Sequence, residues 1–118
     1  MSSYEAEGLR ITAEPDQNGL KICFLGRSDQ RQPAIIMNPW FEDLLPMLSN
    51  QHVHVDFCPF EYMNSSSFMP IFQFLQAAAN SATDLLVTFD NSKDWQRLSF
   101  SSLTALASGW KNFTIEAR

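Results

Sequence analysis

Three features are missing from the sequence, and each absence excludes a class of protein. No stretch approaches the roughly 18 consecutive apolar residues that a membrane-spanning helix needs. Residues 1–8 are polar and acidic, so they lack the basic start and apolar core of a signal peptide. Basic clusters are also missing, since 8 Lys and Arg are outnumbered by 13 Asp and Glu, for a net charge of −5. Because nucleic acids and anionic membranes bind clustered cations, we expect the protein to bind neither. The missing export signal predicts a cytoplasmic location.

Cysteine is scarce as well. The chain has two cysteines, Cys23 and Cys58, and their spacing is not the Cys-x-x-Cys of zinc or redox motifs. Each lies in an apolar, strand-like run, so we interpret both as buried thiols. A disulfide between them is disfavoured in a reducing compartment.

The residues that are present suit one packed core. The 118 residues are 45% apolar and 18% charged, and ten are phenylalanine, which fills core volume efficiently. This length fits one domain and is too short for two. We expect a flexible N-terminus at residues 1–8 and one domain over residues 9–118.

Alternating apolar and polar residues predict the strands of this domain. Turn-forming residues between the first two runs predict an antiparallel hairpin. A dense apolar run bounded by acids is typical of a strand that is buried on both faces. The predicted strands cover residues 9–14, 20–26, 52–57, 84–90 and 113–115.

The first predicted helix follows a polar loop at residues 27–33. We expect Asn38 to cap this helix and Pro39 to occupy its first turn, where proline is best tolerated. Pro46 lies inside the apolar stripe of the same helix. Because proline breaks regular helical bonding, the helix is predicted to kink or stop there.

Two more runs have apolar residues at helical spacing. The second helix is predicted to begin around Ser66 or Ser67. The third is predicted to be capped by Asp94 and to end by Gly109. Its predicted inward residues are Trp95, Leu98, Leu103, Leu106 and Ala107.

The order of these elements is β-β-α-β-α-β-α-β. Strands that alternate with helices predict an α/β fold. We expect one mixed, mostly parallel sheet with an antiparallel edge hairpin, packed by about three helices.

A serine cluster follows the third predicted strand. Residues 58–63 cross a loop, and Ser65, Ser66 and Ser67 then open the second helix. Unpaired backbone N–H groups and the helix dipole favour negative charge at a helix N-terminus. A phosphoryl group gained or lost at this point would change the charge of the surface.

With this element order and this motif, the chain resembles the STAS domain, the fold of bacterial anti-sigma factor antagonists. In that family a Val-Asp-Leu strand leads to a Met-Asp-Ser-Ser-Gly-Leu motif that opens a helix. Here residues 55–57 are Val-Asp-Phe and residues 63–68 are Met-Asn-Ser-Ser-Ser-Phe. The resemblance covers most of the chain by topology and about fourteen residues by motif. It implies that a partner kinase phosphorylates the first serine, Ser65, with Ser66 as the second choice.

Two motif positions depart from the family pattern, because Asn64 replaces the aspartate and Ser67 replaces the glycine. Residues 60–62, Phe-Glu-Tyr, look more like the SiaC-type STAS-like regulatory phosphoproteins, in which an Asn precedes the phosphorylated Ser or Thr. Loss of the aspartate removes a carboxylate that would orient the hydroxyl or help bind a metal during transfer, but Asn64 can still cap the helix. The resemblance implies a partner-binding surface at Asn64, Ser65, Ser66, Ser67, Glu61 and Tyr62.

Other chemistry-bearing residues are better explained as structural or solvated. His52 and His54 share one strand face, but no third ligand has a recognised spacing for a metal site. Asp56 and Glu61 would make a carboxylate pair. No nucleophile motif, glycine-rich phosphate loop or triad accompanies them. We therefore predict no enzyme activity, no metal and no cofactor.

The tryptophans are interpreted as core or rim packing. If Trp95 and Phe100 extend beyond the inward stripe of the third helix, they would form an aromatic docking patch near the serines.

These observations predict a non-enzymatic regulatory module, a monomer or weak dimer, that binds protein partners. The expected partners are a serine kinase or anti-sigma factor, a phosphatase, or a signalling enzyme. Two alternatives stay open. One is a constitutive interaction scaffold without a covalent switch, and the other is a sensor that binds a small ligand near the serine loop.

Overall fold

Seven strands and three α-helices form the fold of residues 2–118, which are the residues that the computed structural model describes. The strands are β1 Ser2–Ala6, β2 Leu9–Pro15, β3 Gly19–Ser28, β4 His52–Asp56, β5 Phe60–Met63, β6 Asp84–Phe89 and β7 Phe113–Ala117. The helices are α1 Pro33–Leu44, α2 Ser65–Ser81 and α3 Asp94–Leu106, with a short 3-10 helix at Leu45–Leu48.

All seven strands belong to one sheet, whose main order is β1-β2-β3-β4-β6-β7. β1, β2 and β3 pair antiparallel, and β4, β6 and β7 continue the sheet in parallel. β5 also pairs in parallel with β3, beyond the segment of β3 that pairs with β4. The predicted α/β fold, with a mixed, mostly parallel sheet, an antiparallel edge and three helices, is confirmed.

One face of the sheet carries the helices. Side chains alternate along each strand, so residues such as Ile22 and Val55 join one apolar core with the buried residues of all three helices. The neighbours that point to the other face, Lys21, His54 and Leu86, lie side by side and are partly exposed. Within residues 2–118, no helix is both long and apolar enough to cross a membrane.

Residues 2–6 form β1, so the expectation of a flexible segment at residues 1–8 missed a strand; Met1 lies outside the described residues. β1 pairs along its length with β2. The hydroxyl of Tyr4 donates to the carboxylate of Asp43 in α1, and the rings of Tyr4 and Trp40 lie 5.7 Å apart. These tertiary contacts hold a segment whose local sequence is polar.

α1 begins at Pro33, earlier than predicted. The expected cap at Asn38 is wrong, since Asn38 lies inside the helix. Pro33 takes the first helical position, where the missing N–H is harmless, and Pro39 is accommodated in the helix interior. The expected break at Pro46 is confirmed, because α1 ends before it and a 3-10 turn follows.

The face of α3 that packs on the sheet also differs from the prediction. Leu98 and Leu106 were expected to point inward but are 65% and 57% exposed. Leu103 and Ala107 are buried as predicted, and Phe100, which was not among the predicted inward residues, is buried as well. The ring of Phe100 lies 4.8 Å from that of Phe57 in the core, and this contact turns the helix away from the predicted orientation.

Asp94 does not cap α3. The helix begins at Asp94 itself, Lys93 occupies the cap position, and no side chain bonds there to the first turn. The Asp94 carboxylate instead lies 2.9 Å from the guanidinium of Arg97, one turn along the helix.

We predict that Gly26→Ala lowers the free energy of unfolding by about 2 kcal/mol. Gly26 has a φ of +76°, and an added Cβ would lie 2.0 Å from the carbonyl oxygen of Gly8. Urea denaturation measures the change. Gly109→Ala is the matched control, because its Cβ would meet no atom within 4 Å. Equal stability of the two variants would contradict the prediction.

Candidate functional site

The candidate site lies where β5 ends and α2 begins, and Asn64 organises it. Its Oδ1 accepts the backbone N–H of Ser67 at 3.1 Å, which caps α2. Its Nδ2 donates to the carbonyl of Gln30 at 2.8 Å, and its backbone N–H donates to the carbonyl of Ser28 at 2.9 Å. α2 therefore begins at Ser65, slightly earlier than predicted, and its start is hydrogen-bonded to the end of β3.

The side-chain amide of Asn64 accepts a hydrogen bond through its oxygen and donates one through its nitrogen, which explains why asparagine suits this position. An aspartate could accept the N–H of Ser67 but could not donate to the carbonyl of Gln30. At this position, the departure from the STAS-family motif is therefore matched by the local hydrogen bonding.

Ser67 is fully buried, and so is Ser28. The hydroxyl of Ser67 donates to Asn64 Oδ1 at 2.6 Å, and its oxygen lies 2.6 Å from the hydroxyl of Ser28. Ser67 Oγ also lies 3.3 Å from the carbonyl of Ser28, and Ser28 Oγ lies 3.3 Å from Gln30 Oε1, so the two serines share a buried hydrogen-bond network. Ser67 is thus a structural hydroxyl that a modifying enzyme cannot reach in the folded protein.

Ser65 and Ser66 are exposed in the first turn of α2. Of the three serines that open the helix, these two present their hydroxyls to solvent. The sequence alone could not separate them from Ser67, since the three are adjacent and identical.

An apolar groove of about 420 Å³ lies next to Ser65, between α2 and α3. Phe68 and the exposed Leu98 supply its apolar surface, and its other lining residues are uncharged serines. The lining residues are Ser65, Phe68, Leu98, Ser99 and Ser102. The first predicted phosphoacceptor is therefore part of the wall of this groove.

Glu61 and Tyr62 are exposed on β5, just before Asn64 and the serines. The guanidinium of Arg27 lies 4.8 Å from the centre of the Tyr62 ring, within the range of a cation–π contact. On the other side, the Tyr62 ring lies 6.5 Å from the ring of Trp95. Of the two aromatic residues expected at a docking patch, Trp95 is half-buried beside Tyr62 and Phe100 is in the core.

Two polar side chains, Gln96 of α3 and Lys93 at the cap position before it, hold the turn between β4 and β5. Gln96 is fully buried, and its Nε2 donates to the carbonyls of Phe57 at 2.7 Å and Phe60 at 2.9 Å. Lys93 Nζ donates to the carbonyl of Cys58 at 2.6 Å. These bonds connect the turn to the start of α3 and so position β5, which leads directly into Asn64.

Sequence reasoning missed the supporting residues Ser28, Gln30, Lys93 and Gln96. Gln96 left one usable signal, an uncharged polar residue among the aromatic residues of a helix, which is typical of a buried hydrogen-bonding role. Ser28 and Gln30 lie in a polar segment without periodicity, and nothing local pointed to them.

On the opposite face of the sheet, a separate polar chain crosses β4 and β6. The buried hydroxyl of Thr88 donates to Asp56 Oδ1 at 2.8 Å and lies 2.8 Å from Nε2 of His54. Since Thr88 has only one proton, His54 must donate through Nε2, and its Nδ1 is the nitrogen that titrates. Lys21 Nζ lies 3.9 Å from the other oxygen of Asp56.

The pKa values of this chain follow from burial and hydrogen bonding. Burial lowers the pKa of His54. Burial would raise the pKa of Asp56, but hydrogen bonds from the Cys58 N–H and the Thr88 hydroxyl lower it further than burial raises it. Burial and the adjacent Asp56 raise the pKa of the Cys58 thiol to about 11. A thiol with that pKa stays protonated near neutral pH, so Cys58 is a poor nucleophile.

The cysteines are free, whereas the two histidines have hydrogen-bond partners. Cys23 and Cys58 are free thiols, each half-buried rather than fully buried as expected. His52 Nδ1 lies 2.8 Å from a carboxylate oxygen of Asp84. Across residues 2–118, no three His, Cys, Asp or Glu side chains converge on a point where a metal ion could bind.

Comparison with known proteins adds no relative: no family model matches the chain, and no curated protein matches it significantly.

We predict that Asn64→Asp lowers the free energy of unfolding by about 1–2 kcal/mol. The carboxylate keeps the cap to Ser67 but faces the carbonyl of Gln30 without a proton to donate. Chemical denaturation at neutral pH measures the change. Asn80→Asp, an exposed position in the last turn of α2, is the control for the added charge. A variant as stable as the wild type would show that the Gln30 contact contributes nothing.

We predict that stability falls as the pH drops below about 6.5, because the unfolded chain takes up a proton at His54 before the folded protein does. Because burial depresses its folded pKa below the usual 6.5, the unfolded chain binds the proton first. The free energy of unfolding therefore declines as pH drops from 6.5 to the folded pKa. Asp56, whose pKa lies below the usual 3.8, acts only at lower pH.

The measurement is thermal or urea unfolding at a series of pH values. His54→Gln should flatten the decline in this window, because Gln can still donate to Thr88 but does not titrate. His52→Gln leaves His54 in place and serves as the control, so it should keep the decline. An unchanged decline in His54→Gln would assign the effect to other groups.

Proposed function

We propose that this protein is a non-enzymatic regulatory module of the STAS or STAS-like type, switched by phosphorylation of Ser65 in a bacterial partner-switching pathway. The observation that carries the proposal is the exposed Ser65 hydroxyl, in a helix turn fixed by Asn64 and on the wall of an apolar groove. A kinase needs an accessible hydroxyl, and a partner needs a surface that changes when the hydroxyl is modified. Residue 65 meets both requirements.

The phosphoryl group comes from a nucleoside triphosphate held by a partner kinase. A bond forms between Ser65 Oγ and the γ-phosphorus, and the bond from that phosphorus to the β-phosphate oxygen breaks. The hydroxyl proton passes to a base of the kinase. A phosphatase reverses the state by hydrolysis, so the module itself needs no catalytic group, metal or cofactor.

Phosphorylation acts on the groove by charge. The groove lining carries no ionised side chain, and its apolar part is formed by Phe68 and Leu98. A phosphate on Ser65 adds about −1.5 to −2 charge to this wall. A partner that buries apolar side chains in the groove would then have to desolvate a dianion, which is costly. The unmodified form is therefore the form that binds such a partner.

The partners in this proposal are proteins: a serine kinase or anti-sigma factor, a phosphatase, or a signalling enzyme. Glu61, Tyr62, Asn64, Ser65, Ser66 and Ser67 belong to the segment that such partners approach. The side chain of Ser67 cannot contact a partner directly, because it is buried; it supports the position of its exposed neighbours. We also propose that the protein is cytoplasmic and is a monomer or a weak dimer.

We predict that Ser65→Ala abolishes a single phosphate on protein purified from its native host, whereas Ser66→Ala retains it. Both positions are exposed, so neither change should alter the fold, which circular dichroism checks. Intact-mass spectrometry across growth states counts the phosphates, and peptide mapping locates them. Native protein that never carries phosphate would remove the mechanism. A phosphate retained in Ser65→Ala and lost in Ser66→Ala would move the switch to Ser66.

Partner binding separates the switch from the alternative of a constitutive scaffold. Partners captured by unmodified protein should be lost when Ser65 carries phosphate. Equal capture by the two forms would favour a scaffold that binds without regulation.

A further inference from the structure

Arg27 and Ser65 flank one backbone hydrogen bond. The carbonyl of Ser28, the residue after Arg27, accepts the N–H of Asn64, the residue before Ser65, at 2.9 Å. This bond brings the backbone next to Arg27 and the backbone next to Ser65 together, although the two residues are 38 positions apart in the sequence. The register of β3 and β5 supports this placement, since Arg27 pairs with Tyr62 just ahead of the serines.

The present contacts of Arg27 are easily exchanged. Its Nε lies 3.5 Å from a carboxylate oxygen of Asp29, and both side chains are about half exposed, at 52% and 51%. Exposed ion pairs of this kind contribute little stability. The guanidinium also lies 4.8 Å from the centre of the ring of Tyr62, which is in β5, the strand that leads into α2.

Four of the other seven Lys and Arg side chains have partners elsewhere, including Arg118 with Glu116, whereas the exposed Arg31 follows Gln30, whose carbonyl also contacts Asn64. Lys93 donates to backbone carbonyls of the turn between β4 and β5. Lys21 contacts Asp56 on the far face of the sheet. Arg97 pairs with Asp94. Arg27 thus combines a weak present partner with a position beside the serines.

We propose that the guanidinium of Arg27 forms an ion pair with the phosphate of phospho-Ser65 in the same molecule and that its contact with Asp29 is lost. This inference rests on the proposed phosphorylation of Ser65. Only non-covalent contacts change: the guanidinium leaves one carboxylate and binds two phosphate oxygens through its parallel N–H groups.

The phosphate is the stronger partner for two physical reasons. It carries close to two negative charges where Asp29 carries one, and a guanidinium fits two phosphate oxygens in a bidentate arrangement. Once Arg27 is engaged, Asp29 is left beside a dianion without its cation. Repulsion then moves the segment after β3, so phosphorylation alters the shape of the surface as well as its charge.

The test uses protein with phosphoserine installed at position 65 during translation, so that no kinase is needed. Phosphorus NMR follows the titration of the phosphate in the otherwise wild-type chain, in Arg27→Gln and in Arg10→Gln. Arg10 lies on the open face of the sheet in β2 and is the control for loss of one positive charge. A bound guanidinium stabilises the dianion, so the second phosphate pKa should be lower in the wild type than in Arg27→Gln by about half a pH unit.

Arg10→Gln should keep the lower value. Equal phosphate pKa values in the wild type and Arg27→Gln, or equal increases in both variants, would overturn the proposal. Since the phosphoserine is supplied synthetically, this outcome is independent of whether native protein is ever phosphorylated. Failure of the proposed function and failure of the Arg27 contact are therefore distinguishable.

Discussion

The side-chain amide of Asn64 is the contact on which the candidate site depends. Its Oδ1 bonds to the first turn of α2, and its Nδ2 bonds to the segment after β3. A helix cap alone would fix the helix start relative to its own chain, but the second bond fixes it relative to the sheet. The exposed serines are thereby presented from a rigid position, although they follow a short strand and a turn. Rigid presentation matters for recognition, because a partner then loses little conformational freedom of this segment on binding.

The fold could be predicted largely because its strong signals are local. The alternation in β2 and β3 and the apolar run of β6 identified strands without tertiary information, and the helical spacing identified α2 and α3. The parts that were missed depend on distant contacts. β1 is polar and is held by Tyr4 against α1, and the orientation of α3 is set by Phe100 against the rings of the core.

The candidate site shows the same division. The motif and its family resemblance located residues 63–68, and the cap at Asn64 followed from ordinary helix chemistry. The sequence could not show that Ser67 is sealed while its two neighbours are exposed, because burial depends on Ser28, 39 residues earlier. Nor could it show that Gln96 and Lys93, at the start of α3, donate hydrogen bonds to backbone carbonyls of the turn before β5, more than 30 positions earlier in the sequence.

The sealed hydroxyl of Ser67 has a consequence for enzyme selectivity. Under the proposed phosphorylation, a kinase has to choose between two adjacent positions only, because Ser67 is buried. Successive residues on an α-helix project about 100° apart around its axis. Ser65 is on the wall of the groove toward α3, and Ser66 is not among the residues that line it. The two serine side chains are chemically identical. An enzyme can therefore distinguish Ser65 from Ser66 by the direction from which it approaches the helix.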